Sequence, residues 1–321
     1  MLPAWLLVFA AAAANPAFTS PAPSPAEYGH GLSTKQAHAG WISLFDGRTT
    51  FGWSDASIVD GSLRGGSTTS EFGDVEMKID VRRAGTLTVG KNVYHLTVGT
   101  HALNVSGGGV HPIRLDDQLA IHQLAVRPLN LRAVFTGRDF IGWSVVKHRR
   151  RAKPKQTTWR VENGAIRATG GPGALELEGH YADLIMQIDV RTLGALTNGG
   201  VFVRSIPGQF MNGYETQVFN ACYNHDPAQP ARYSTGGIDD RQLARRLVSR
   251  DRETFTMTIV ANGPHFATWV NGVQMTDWTD TRKPHDNPRE GLRLEAGSIQ
   301  LQAHDPETDV EFRNIRLVEL H

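Results

Sequence analysis

The sequence predicts an all-β protein built from two tandem β-sandwich copies, the first of them shortened. Three observations predict it: an internal repeat, strict period-two alternation of apolar and polar residues, and a supply of turn formers that includes 33 Gly and 16 Pro among 321 residues. The length suits two sandwich units of about 100 to 200 residues each.

The repeat divides the chain. Phe45-Asp46-Gly47-Arg48 followed by Gly52-Trp53 returns with identical spacing as Phe135-Thr136-Gly137-Arg138 followed by Gly142-Trp143. A second match follows in the same order, Phe72 to Arg82 against Tyr181 to Arg191, and a weaker one pairs Leu119 to Leu129 with Val310 to Leu320. The first copy is therefore set at 38–130 and the second at 131–321, with the boundary near Pro128. The second copy is about twice as long, and its extra length includes a basic loop, Lys147 to Lys155, and a middle section from Ile206 to Arg252. It is expected to hold the site and to fold alone.

Within the shared segment Val75, Met77, Ile79 and Val81 alternate with Glu76, Lys78, Asp80 and Arg82, which is the pattern of a half-buried strand. Phe255, Met257 and Ile259 alternate with Thr, and Asn262-Gly263 and Asn271-Gly272 suit tight hairpins, so three meandering strands are predicted there. The one helical pattern is Arg241 to Val248, where Leu243 and Leu247 share a face of one or two turns.

Ahead of the repeat, residues 1–14 form an apolar, Ala-ended stretch of signal-peptide length, and 15–37 are Pro, Ser and Ala rich like a linker. Export to a periplasmic or extracellular location is the expectation. No other segment reaches the ~20 apolar residues of a membrane span. The net charge of +1 draws the chain to neither nucleic acid nor an anionic surface, and a neutral glycoside suits it better as a partner. With Cys222 alone, an intrachain disulfide and a thiol metal pair are excluded. Composition leaves the oligomeric state open.

Nucleotide loops, metalloprotease helices and nucleophile elbows are absent from the sequence. The better candidates are polar residues that share one face of a strand whose other face is apolar. Alternation puts Glu215, Gln217 and Phe219 together, and likewise Gln300, Gln302 and His304 opposite Ile299, Leu301 and Ala303. A carboxylate, amides and an imidazole on such faces suit sugar binding and proton transfer. Trp269 shares a face with His265, Ala267 and Asn271, as a sugar-stacking platform or as a core plug. The segment from Gly236 to Arg246 brings Asp239, Asp240 and Arg241 into the section that the first copy lacks, and Arg can polarise a ketone oxygen.

The second copy resembles the 3-keto-disaccharide hydrolase family, the 3-keto-α-glucoside 1,2-lyase and 3-keto-2-hydroxyglucal hydratase domains. The resemblance is carried by Phe135 to Trp143, Asn198 to Arg204, Gly213-Tyr214-Glu215-Thr216-Gln217, Trp269 to Gly272, Leu301 to His304 and Phe312 to Ile315, all in family order. It implies a concanavalin A-like jelly roll and cleavage of 3-keto-glycosides by elimination of the aglycone, then hydration of the glucal. Under it Glu215 and His304 are the catalytic candidates, and Gln217, Arg241, Trp269 and Gln302 the substrate-binding ones. The first copy lacks the Gly-Tyr-Glu and Gln-x-His segments and resembles a shortened, non-catalytic relative. The scheme calls for no cofactor; a divalent metal held by Glu215 and His304 with waters stays open. So do a non-catalytic carbohydrate-binding or adhesion module and an ordinary glycosidase.

Overall fold

A computed structural model describes residues 18–22, 27–146 and 157–321. The apolar leader 1–14 and the basic loop 147–155 lie outside the described residues. The regular secondary structure of the described residues is β-strand apart from the helix Thr34–His38, whose first turn is capped by Ser33 and Gln36 reciprocally.

Each copy is two antiparallel sheets. In the second copy the larger sheet runs Thr158–Glu162, Ala165–Thr169, Asp309–Glu319, Leu184–Thr192, Phe255–Asn262, His265–Val270, Val273–Thr279, with Arg132–Ala133 also paired to Asp309–Glu319. The smaller runs Trp143–Val146, Gly173–Tyr181, Gly297–Ala303, Asn198–Ser205, Tyr214–Phe219. The first copy repeats the smaller sheet strand for strand: Trp53–Ser54, Ser67–Thr68, Ile113–Leu115, Gly85–Val89, Asn92–Leu96. The shared motif has the same local structure twice. Trp53 Nε1 donates to the Leu44 carbonyl at 2.5 Å and Trp143 Nε1 to the Val134 carbonyl at 2.9 Å. The glycines that turn the motif, Gly47 and Gly137, both have φ of +79°, open to glycine without strain.

Alternation explains the inner faces. Val75, Met77, Ile79 and Val81 point into the first core, and Leu184, Met186, Ile188 and Val190 into the second. The outer face of the second copy's large sheet is not solvent-facing, however. Ile185, Val260, Ala267 and Trp269 are buried against the core of the first copy, so the two sandwiches share a packed interface. Trp269 is 1 % exposed, lies 6.4 Å from Phe72 between ring centroids, and donates Nε1–H to the Ser43 carbonyl at 3.0 Å. It is the plug of this interface, which corrects its reading as a sugar contact: a ring closed in by the neighbouring sandwich has no face left for a ligand.

Two further expectations change. Arg241 to Val248 makes no helix, with Leu243 exposed and Leu247 buried. The backbone donors go elsewhere, Arg245 to the Met275 carbonyl and Leu247 to that of Pro227. The 15–37 stretch, where described, is tied down: Phe18–Thr19 pairs with Cys222–Tyr223, and Gly29 N–H donates to the Asn271 carbonyl. The three-stranded meander is present. Its second turn is the Asn271-Gly272 pair with φ of +51° and +76°, the two positive values that a two-residue type I′ hairpin requires, while its first turn is Gly263-Pro264, one residue later than predicted. Among the described residues no helix is long and apolar enough to cross a membrane.

Candidate active site

The smaller sheet of the second copy sends Leu175, Leu177, Val201, Val203, Ile299 and Leu301 into the core. Its opposite face carries polar groups, and the register says which meet. Phe202 lies opposite both Glu215 and Gln300, and Gly200 opposite both Gln217 and Gln302. The two candidate strands are thus not neighbours; Asn198–Ser205 runs between them, and its Gly200 is the floor that joins them. A Cβ on Gly200 would come within 2.5 Å of Glu215 Oε1, so the carboxyl occupies the space a side chain would fill. Glu215, Gln217 and Gln302 therefore converge over one glycine.

This polar cluster is buried. Glu215 is 3 % exposed, Gln217 5 % and Gln302 0 %. Neither end of the Gln302 amide, nor Oε1 of Gln217 or Gln300, nor Oδ1 of Asn198, has a hydrogen-bond partner among the described residues. Buried amides without partners are rare in folded proteins and mark a place prepared for a water or a ligand.

Over Glu215 lies a narrow crevice walled by Tyr214, Ile238, Asp239, Arg241, Pro288 and Arg289. Ile238 bridges Thr216, and Asp239 N–H donates to the Glu215 carbonyl at 3.0 Å, so this loop extends the sheet edge. Arg289 pairs with Asp239 at 2.6 Å and stands 3.7 Å from Glu215 Oε2. Asp239 takes the salt bridge, and Glu215 is left without a hydrogen bond from it. Burial, and then the charge of Asp239, push the Glu215 carboxyl well above the usual carboxylate range, with Arg289 opposing. Burial works against the charge on Arg289, but Glu215 and Asp239 outweigh it and raise its pKa. Arg241 donates to the Asp240 and Arg289 carbonyls, and burial and the nearby Arg282 and Arg289 charges lower its pKa.

His304 sits two residues beyond Gln302, its side chain 24 % exposed, with Nδ1 2.7 Å from Asp305 Oδ1. Of the residues singled out in the sequence, Glu215, Gln217, Gln302 and Arg241 come together, His304 stands at the rim, and Trp269 lies elsewhere. Arg289, Asp305 and the role of Gly200 were missed. Two consecutive glycines inside a strand signal a close approach and could have been read; Arg289 stands in an irregular loop and carries no such signal. Among the described residues no group of three or more His, Cys, Asp or Glu could hold a metal ion. The first copy puts Asn92–Leu96 where Tyr214–Phe219 stands, with Val93 exposed and no carboxylate on the strand.

The model of the family described as the 3-keto-alpha-glucoside-1,2-lyase-like domain matches residues 130–318. No curated protein matches the chain. Among solved structures, a Parabacteroides distasonis protein provisionally assigned as a glycosyl hydrolase is 19 % identical, covering 60 % of this chain and 94 % of its own, with a TM-score of 0.46. A second such structure from Parabacteroides distasonis is 24 % identical over 60 % of this chain and 85 % of its own, with a TM-score of 0.45. The carbohydrate-binding module CBM66 of Bacillus subtilis is 14 % identical over 54 % and 93 %, with a TM-score of 0.38. At these values none of the three says what this chain does.

Proposed function

This chain belongs to the 3-keto-alpha-glucoside-1,2-lyase-like family, a carbohydrate-related one, and we propose that its second sandwich cleaves 3-keto-glycosides by elimination followed by hydration. The observation that carries the proposal is the Glu215 carboxyl seated over Gly200 between two buried side-chain amides, Gln302 with neither end partnered and Gln217 with its Oε1 unpartnered.

The substrate sets the needs of the site. A ketone at carbon 3 acidifies the hydrogen on carbon 2, so a base can remove that proton and leave an enediolate. Its electron pair then forms the carbon 1 to carbon 2 double bond as the carbon 1 to oxygen bond breaks, and the departing oxygen takes a proton. Water added across the double bond returns a free 3-keto sugar. Such a route needs one acid, one base and positive charge near the enediolate, not two carboxylates at glycosidase spacing.

Glu215, whose carboxyl burial and Asp239 shift toward the protonated form, suits the acid. His304, whose Nδ1 is held by Asp305, suits the base through its other nitrogen. From Gly200, His304 stands one strand across and two residues along, about 8 Å by ordinary sheet dimensions, a gap of the size of a pyranose ring. Gln217 and Gln302 would hydrogen-bond sugar hydroxyls from below, and Arg241 and Arg289 would supply the charge. No cofactor enters, since the ketone itself makes the proton removable. The first sandwich has no such group of residues and is assigned no chemistry; export of the chain remains part of the proposal.

The test is to incubate the purified protein with 3-keto-glucosides and unoxidised glucosides side by side in heavy water. The proposal expects turnover of the keto sugars alone, deuterium at carbon 2 of the product, and a loss of about 10²-fold or more in His304→Ala. Turnover of unoxidised glucosides without labelling would overturn it, and binding without turnover would assign a carbohydrate-binding module instead.

A further inference from the structure

The loop that covers Glu215 is gripped by the first sandwich. Ile238 and Gln242 exchange backbone hydrogen bonds at 2.9 and 3.1 Å, closing a five-residue loop whose tip carries Asp239 and Arg241. Three residues on, Arg245 leaves the second sandwich. Its Nη2 reaches Asp46 Oδ2 at 2.7 Å and Thr49 Oγ1 at 3.3 Å, and its guanidinium lies 4.2 Å from the Phe51 ring centroid. Both side chains are largely shielded, Arg245 27 % and Asp46 18 % exposed. The loop has a second tether. Gln242 Oε1 accepts the Asp277 N–H at 2.7 Å, and Asp277 Oδ1 accepts from Thr69 of the first sandwich at 2.6 Å.

Asp46 belongs to the motif that opens each copy, and the two copies differ there. In the second, Thr136 caps only the Arg138 N–H, at 3.3 Å. In the first, Asp46 accepts from the Arg48 and Thr49 N–H groups and the Thr49 hydroxyl at 2.6 to 2.8 Å, and still has an oxygen turned to Arg245. A motif that merely turns the chain in the second copy ends, in the first, on the segment that carries the other copy's site. The backbone runs from Arg245 three residues back to Gln242, which is hydrogen-bonded to Ile238, and Asp239 beside it bonds the Glu215 backbone and pairs with Arg289.

We propose that Asp46 and Arg245 are positioning residues: their ion pair fixes the Ile238–Gln242 loop, so that the first sandwich holds Asp239, Arg241 and Arg289 in place over Glu215. Only the activity arm of the test rests on the proposed function.

Hydrogen–deuterium exchange on the full chain tests the positioning directly, using Arg245→Met, which leaves the Asp46 caps in place, with Asp46→Asn as the second variant. The amides of Ile238, Asp239 and Gln242 should exchange roughly tenfold faster, while those of the Phe255–Asn262 strand keep their protection. Arg245→Lys, which keeps the charge, should restore part of the protection. Unchanged exchange in the loop, or a rise spread evenly over the whole chain, would overturn the proposal. In the activity arm the same variants should lose about tenfold in kcat/KM for a 3-keto-glucoside, and the limb of the pH profile that reports Glu215 should move, because burial under this loop, then Asp239 and Arg289, act on its proton affinity. A profile identical to wild type beside a loosened loop would also overturn it. If the wild-type protein turns over no 3-keto-glucoside, the functional reading falls, and the exchange result decides the positioning by itself.

Discussion

Replacing Glu215 by Gln keeps the shape of the protonated acid and removes its titration, which makes stability against pH a direct probe of the site. Glu215 is 3 % exposed, and its folded pKa is raised by burial and by Asp239, whereas the unfolded chain returns it to about 4.5. Between those two values the folded state binds the extra proton, so stability falls as pH rises, the reverse of a salt-bridged carboxylate. The loss approaches 1.4 kcal/mol for each pH unit by which the folded value stands above the unfolded one. The amide that replaces the carboxyl in E215Q has no such proton to lose. Urea denaturation of both proteins at pH 5, 6, 7 and 8 should therefore show E215Q gaining on wild type by up to about 1.4 kcal/mol per unit, starting near pH 5 and levelling off above the folded pKa. Turnover should drop by about 10²-fold or more at every pH, since an amide donates no proton in the reaction. A stability difference that does not change with pH would mean that Glu215 is ionised throughout, and its assignment as the acid would be refuted.

Gly200→Ala would place a methyl group 2.5 Å from Glu215 Oε1, so the carboxyl must move; turnover should fall at least about tenfold while the midpoint of thermal unfolding shifts by only a few degrees, and full activity would remove Gly200 as the floor of the site. Trp269→Ala should cost about 3 to 5 kcal/mol in urea denaturation, as for other large buried aromatics, with no specific loss of sugar affinity; a cost below about 1 kcal/mol together with lost binding would return Trp269 to the sugar site. Residues 131–321 expressed alone would expose Ile185, Val260 and Trp269, and size-exclusion chromatography should show them self-associating; a stable monomer would show that the interface is dispensable.

How much of the site was legible follows from the range of each interaction. Glu215 with Gln217, and Gln302 with His304, were placed on shared faces by alternation alone, because the strand period is a property of the local backbone. Arg289 was not legible. It lies 74 positions from Glu215 in an irregular loop and meets it only after the chain has folded back over the sheet edge. The helix expected from Leu243 and Leu247 failed for a related reason: the short apolar spacing was real, but the Arg245 and Leu247 donors found partners in other elements.

Period-two patterning and local turn chemistry were enough for the all-β class and for the inward apolar face of the strands. Trp269 shows where that reach ends. Its strand pattern says that it faces away from Phe266 and Val270, and nothing in the pattern says what covers that face. The folded chain alone reveals that the other sandwich does, and that Gly200 leaves the space into which the Glu215 carboxyl fits. Both are matters of packing between segments far apart in the chain, where the partner is chosen by shape and burial and leaves no period in the sequence.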